Sequence, residues 1–265
     1  MAHNSTYVAK LANKQGDICW SNEENHIWHD LLEQQLACIE QVACPEYIQG
    51  LEKLNFPREQ IPQLSQINKV LLDETNWQCH AVPALIGFEE FFSLLAQRKF
   101  PVATFIRSRD DFHYLKEPDI FHELFGHCPL LTNASFANYT QAYGQMALQA
   151  SHEQRVFLAR LYWFTVEFGL IENEQGLKAY GGGILSSPKE TQYALYSNQA
   201  KRQTLTVDNL VDVFRTPYKI NHLQPIYYTL ERLTLLDDIR QYQVEDTFSF
   251  IQQAKEQGLF PSFYS

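Results

Sequence analysis

The chain has no hydrophobic run near the ~18 residues a membrane-spanning helix needs, so no such span is expected. It is poor in positive charge. Its 21 Lys and Arg stand against 31 Asp and Glu, a formal charge of −10. That field repels phosphate backbones and anionic lipid headgroups, so neither nucleic acid nor a membrane surface is expected as a partner. Glycine and proline number only 11 each in 265 residues, which excludes a collagenous or low-complexity chain. The opening residues MAHNSTYVAKLANKQGD contain no apolar stretch of the secretory kind. The cysteines (Cys19, Cys38, Cys44, Cys79 and Cys128) are odd in number, scattered, and include no Cys-x-x-Cys pair. Reduced thiols and a cytoplasmic location are expected from this.

Aromatic residues are plentiful, with 18 Phe, 14 Tyr and 4 Trp. A core and any pocket built from them should be rich in flat, polarisable surface. No internal repeat, linker or break in composition interrupts the chain, so one domain over residues 1–265 is expected. The pattern is mainly α with a few short strands. Ser21 and Glu24 form a capping box ahead of Ile27, Trp28, Leu31, Leu32, Leu36 and Ile39 at helical spacing. Further helices are read over 63–74, 88–97, near 118–128, over 134–149 and over 152–168, the last closed by Gly169. Residues 102–107 read as a strand, and 170–172 with 177–180 as a hairpin around the turn-rich stretch 173–176. Gly181, Gly182 and Gly183 read as a loop, Pro188 as the start of a helix, and the tail as helices around 233–242 and 245–257.

The informative segment is Pro118-Asp119-Ile120-Phe121-His122-Glu123-Leu124-Phe125-Gly126-His127. Zinc proteases place two histidines four apart, on one face of a helix. Here the spacing is five, and five residues of α-helix turn by about 500°, leaving the second ring about 140° away. Both imidazoles can reach one metal only at a helix end, with Gly126 loosening the turn and Pro129 stopping it. Alternatively, the pair borders the core with no metal at all. Glu167 sits in the apolar run Tyr162-Trp163-Phe164-Thr165-Val166-Glu167-Phe168, with no cation three or four residues away. A carboxylate so placed either faces solvent, or needs a partner or a metal. Two imidazoles and one carboxylate make the facial set that holds non-haem Fe(II) and leaves coordination positions open. Asp119 is placed either to accept the far N–H of a ligand imidazole or to cap the helix.

Pro-Asp-x-x-His-Glu-Leu-x-Gly-His, then Tyr-Trp-Phe-Thr-Val-Glu-Phe-Gly-Leu, then Lys-Ala-Tyr-Gly-Gly-Gly-Ile-Leu-Ser-Ser resemble the pterin-dependent aromatic amino acid hydroxylases over roughly residues 60 to 260. The likeness is greatest to the short bacterial members that act on phenylalanine. The resemblance implies the helical catalytic-domain fold of that family, with Fe(II) in a deep cleft. It implies tetrahydrobiopterin or a related tetrahydropterin as reductant, O2, and conversion of L-phenylalanine to L-tyrosine. His122, His127 and Glu167 fall on its iron ligands. Arg107 falls on the arginine that binds the substrate carboxylate, a task suited to a planar fork of fixed charge. Pro118, Trp163 and Ser186 fall on the substrate pocket, with Ser186 also touching the His122 ring and Glu190 holding Arg107. Leu85, Ile86 and Phe91 fall on the pterin loop, Glu123 on an acid near the pterin, and Tyr162 on a tyrosine of the same cleft.

The pattern departs from the animal enzymes in the 82–91 loop, at Pro101 in place of a histidine, and at Leu115 in place of a threonine. Neither a regulatory domain nor a tetramerisation helix is expected, which leaves a monomer or dimer. Tyrosine or tryptophan hydroxylation on the same scaffold is an alternative the iron motif does not separate. A zinc hydrolase with Glu123 as base, or an aromatic-ligand binder without catalysis, are the alternatives from other classes.

Overall fold

The structure is a computed structural model that describes residues 7–83, 85–113 and 117–263. Ala84 of the 82–91 loop and Leu115 lie outside the described residues. The elements run α1 (Asn22–Ile39), α2 (Pro45–Leu54), α3 (Leu64–Thr75), β1 (Gln78–Val82), α4 (Phe88–Ala96), β2 (Lys99–Ala103), α5 (Cys128–Leu131), α6 (Ala134–Gln149) and α7 (His152–Tyr162). They continue with β3 (Leu170–Asn173), β4 (Gly176–Ala179), α8 (Gly182–Leu185), α9 (Pro188–Tyr196), β5 (Lys201–Thr204), α10 (Leu210–Arg215), β6 (Ile226–Leu230), α11 (Leu235–Arg240) and α12 (Val244–Gln257). Two stretches wind as π-helix, His122–His127 and Trp163–Glu167. The helix-rich reading with few strands holds.

Local chemistry explains the helix starts. Ser21 Oγ accepts from Glu24 N and Glu24 Oε2 accepts from Ser21 N, and Ser151 with Gln154 repeats this reciprocal cap on α7. Ser187 Oγ accepts from Glu190 N, with Pro188 at the first position of α9. The hairpin is present, with Leu170 opposite Ala179 and Asn173 opposite Gly176. β3 also runs parallel to β6, and β6 to β5, giving the order β4-β3-β6-β5. A separate parallel pair joins β1 to β2.

Three expectations are corrected. The strand read at 102–107 lies at Lys99–Ala103, because it pairs with β1 from Gln78 opposite Lys99 onward. The glycine run is not simply a loop: Gly182–Leu185 forms α8, started by Gly181. The helix read over 152–168 is α-helical only to Tyr162 and then widens.

The core brings α1 under the metal-motif segment. Trp28 is fully buried and meets Phe121 edge-on at 5.6 Å, while Phe121 stacks on Phe125 at 5.0 Å. Such aromatic pairs add roughly 0.5–1.5 kcal/mol beyond the area they bury. Tyr47 of α2 donates its hydroxyl proton to Phe125 O, satisfying a carbonyl within the widened turn. The segment is thereby clamped from behind, and its histidines face forward.

Candidate active site

The widened turns resolve the spacing problem. A π-helix closes hydrogen bonds between residues five apart, so side chains at that spacing share a face, as those at four do in an α-helix. His122 and His127 therefore come together, with their Nε2 atoms 3.2 Å apart. In the second turn Phe168 N donates to Trp163 O at 2.8 Å, the same five-residue step. That turn aims Glu167 at both rings: Oε1 lies 3.3 Å from His127 Nε2 and Oε2 lies 3.7 Å from His122 Nε2. Donor atoms bonded at right angles to one metal, with bonds of about 2.1 Å, sit about 3 Å apart. Two imidazole nitrogens and a carboxylate at this spacing fit Fe(II).

The tautomer of His122 follows from its neighbours. Ser186 Oγ donates to Gly182 O at 2.7 Å, so it can only accept from His122 Nδ1, 2.8 Å away. The proton sits on Nδ1, and the Nε2 lone pair faces the common centre. The expectation that Ser186 touches this ring is met. Asp119 does not serve it. Its Oδ1 accepts from His122 N at 3.1 Å, which is a cap, and both its oxygens are engaged by Arg107.

Arg107 is buried rather than a surface arginine. Its Nε and Nη2 fork onto Asp119 at 2.8 and 2.9 Å, and Nη1 donates to Phe112 O at 3.4 Å. Three of its five N–H groups are used, leaving two to receive an anion. Burial disfavours charge on Asp119, but Arg107 outweighs it and holds the carboxyl below its usual range. Glu190 does not hold Arg107. It accepts from Tyr227 Oη and, at 3.2 Å, from Gln224 N, so that expectation is corrected.

A cleft of about 260 Å³ opens beside the triad. Its walls include Leu85, Ile86, Phe91, Pro118, Glu123, Tyr162, Trp163 and Glu167, so the residues expected around pterin and substrate are brought together. Arg107, Ser186 and Glu190 are not among its wall residues. Phe91 meets Tyr162 edge-on at 5.5 Å. Tyr218 also lines the cleft and stacks on Trp163 at 4.3 Å. Sequence reasoning missed Tyr218 because it sits in an irregular stretch after Pro217, where no periodicity points inward.

The carboxyls divide their work. Glu123 offers an oxygen within 4.8 Å of both imidazoles, so it competes with Glu167 for a metal. Burial and then the Glu167 charge push Glu123 well above the ordinary carboxyl range, which favours its neutral, hydrogen-bond-donating form. Burial also works against charge on Glu167, but His127 and its hydrogen bond win and hold it low. Of the two carboxyls, Glu167 is the more readily ionised and so the better candidate for an anionic donor. Burial pushes His122 down to about 4, keeping the ring neutral and able to bind metal.

Two expected outcomes arise here. Unfolded His122 takes up a proton as pH falls through about 6.5, whereas the folded ring waits until about 4. The unfolded state binds more protons in that window, so the metal-free chain should lose stability on acidification across it. Melting curves from pH 7 to 4 should show this, and His122→Gln should flatten the slope. The second concerns close packing. A Cβ on Gly126 would lie 2.8 Å from Gly182 O, and a Cβ on Gly182 would overlap the His127 ring, 2.6 Å from Nδ1. Gly182→Ala should displace this ring and weaken iron binding by about 10–100-fold, read by metal titration at unchanged far-UV dichroism. Unchanged affinity would show that the contact does not position the ligand.

A family model for biopterin-dependent aromatic amino acid hydroxylases matches residues 2–252. The chain is 51% identical over 253 residues to the phenylalanine-4-hydroxylase of Pseudomonas aeruginosa, covering 96% of this chain and 94% of that one. It superposes on the apo structure of the cold-active phenylalanine hydroxylase from Colwellia psychrerythraea 34H with a TM-score of 0.95 at 56% identity, covering 97% and 98% of the two chains. On the Chromobacterium violaceum phenylalanine hydroxylase with bound oxidized Fe(III) the TM-score is 0.86 at 37% identity, covering 91% and 86%. With a match this long, and three convergent candidate donors beside an aromatic cleft, the chain belongs to the biopterin-dependent aromatic amino acid hydroxylases.

Proposed function

We propose that this chain hydroxylates L-phenylalanine to L-tyrosine, with His122, His127 and Glu167 holding Fe(II) and a tetrahydropterin and O2 as co-substrates. The observation that carries the reading is the convergence of these three donors, 3.2 to 3.7 Å apart, on one side of a centre next to the cleft. One oxygen atom enters the ring and the other leaves on the pterin, which supplies two electrons. Bound iron supplies the oxygen-activating chemistry, with half of its coordination sphere left free by the protein.

The chain's own residues orient and shield. Arg107 receives the amino acid carboxylate on its two remaining N–H groups, while Asp119 fixes the direction of the fork. Trp163 and Pro118 wall the slot for the aromatic ring. Phe91 and Tyr162 flank the pterin, the backbone near Leu85 and Ile86 reads its edge, and Glu123, whose neutral form burial favours, donates to it. Burial keeps the Tyr162 phenol protonated well above its usual range, so it donates as well. The whole chain works as one catalytic unit, a monomer or dimer in the cytoplasm. The observation that supports that placement is that all five cysteines are free thiols.

The test is tyrosine formation from phenylalanine, with and without added Fe(II) and tetrahydropterin. Product that depends on both is expected. Turnover of tyrosine or tryptophan alone would reassign the substrate, and a zinc-supported hydrolysis would overturn the reading.

A further inference from the structure

Between α10 and β6 the chain runs without regular structure, and Gln224 near its end is 1% exposed. A buried amide must find partners for two N–H groups and one carbonyl, or the fold bears the cost of desolvating them. Gln224 Nε2 donates to Lys219 O at 3.0 Å and His222 O at 2.7 Å. Its Oε1 accepts from Trp163 Nε1 at 3.0 Å, and its backbone N–H donates to Glu190 Oε1 at 3.2 Å.

This arrangement has only one orientation. Turning the amide over would set its oxygen against two carbonyl oxygens and its NH2 against an indole N–H, which cannot accept. The loop carbonyls therefore aim the single acceptor, and the acceptor fixes the edge of the indole. The faces of the same ring are fixed by Tyr218, stacked at 4.3 Å and 18°, and by Phe168 at 4.5 Å and 35°. Tyr218 belongs to the stretch whose carbonyls hold Gln224. One loop thus grips Trp163 by face and by edge, and Trp163 in turn opens the widened turn that ends on Glu167.

We propose that Gln224 is a positioning residue that acts through the indole N–H of Trp163 to set the width of the aromatic slot, and so the affinity for the substrate ring. This rests on the reading of Trp163 as a wall of that slot. Gln224 is not among the wall residues of the cleft, and its side chain reaches one of them, Trp163, directly.

The test is a double-mutant cycle of Gln224→Met and Trp163→Phe in the iron-loaded enzyme, with KM for L-phenylalanine and kcat measured separately. Gln224→Met removes the acceptor of the indole N–H and the donor to the two loop carbonyls, so KM should rise about tenfold with kcat within about threefold. In the Trp163→Phe background the same exchange should change KM by less than about twofold. An equal rise in both backgrounds would overturn the proposal, because Gln224 would then act by tethering its loop alone. A second readout needs no substrate and no folded Gln224 variant. In chain labelled with ¹⁵N-tryptophan, the indole resonance lost in Trp163→Phe should exchange slowly with solvent in the unsubstituted protein. Fast exchange there would overturn the tether. If the unsubstituted enzyme forms no tyrosine, the functional reading falls, and the tether is decided by the exchange rate.

Discussion

His122→Ala should abolish stoichiometric iron and lower tyrosine formation by at least about a thousandfold, a loss of roughly 4 kcal/mol of transition-state stabilisation. One of three donors disappears, and the remaining pair, His127 Nε2 and Glu167 Oε1 at 3.3 Å, can neither enclose the ion nor define a free face. The effect is on the site rather than the fold, since the segment is anchored by Trp28, Phe121 and Phe125 on its other side. Metal analysis and a product assay on the purified variant check it. Full activity with bound iron would remove His122 from the ligand set, and with it the account of the widened turn. Ser186→Ala should give a milder version, because the ring keeps its nitrogen and loses only the acceptor that fixes its proton.

Asp119→Ala should damage both stability and binding. This carboxylate is fully buried and accepts from Arg107 N, Nε and Nη2 and from His122 N. Removing it strands a buried guanidinium and uncaps the metal-motif segment. Breaking a buried pair from one side costs about 3–5 kcal/mol, and at about 2–4 °C per kcal/mol the melting temperature should fall by roughly 10 °C. KM for the amino acid should rise with it, as the fork loses its direction. Replacing both partners by apolar residues, Arg107→Met with Asp119→Leu, should recover much of the stability and none of the binding. Calorimetry and kinetics on the single and double variants separate these effects. A double variant that binds substrate normally would place the carboxylate anchor elsewhere. Acid should mimic the single change only at low pH: the Asp119 carboxyl is held below 3.8, so its contribution is full at neutrality and fades as pH falls below that value.

What could be read from the sequence was local. Capping boxes at Ser21 and Ser151, the hairpin over 170–179 and the start at Pro188 each carry their instructions within four or five residues. The three candidate donors are nameable from the sequence because few side chains can serve a metal and because the motifs around them resemble those of the family; the residues alone leave a metal-free reading open. Their geometry was not legible there. The α-helical period sets His122 and His127 on different faces, and it is the packing of Gly126 against Gly182, together with the Tyr47 hydroxyl on Phe125 O, that accompanies the wider winding. The resemblance offers Glu190 as the partner of Arg107, and Asp119 escapes notice although only 12 residues away, because no spacing rule links the irregular chain after β2 to a helix cap. β5, Lys-Arg-Gln-Thr, was invisible for a different reason: it is a polar strand held only by β6, so nothing in its own composition marks it.

A five-residue turn differs from a four-residue turn by a single backbone unit. Both donor-bearing stretches, 122–127 and 163–167, therefore hold one unit more than ordinary winding would place there. Removing a residue from either would return it to regular coiling, and rotate a histidine or Glu167 out of line by a large angle while every other side chain stayed chemically intact. The iron centre is accordingly governed by chain length along these two stretches, and a deletion or insertion of one amino acid in either should undo it.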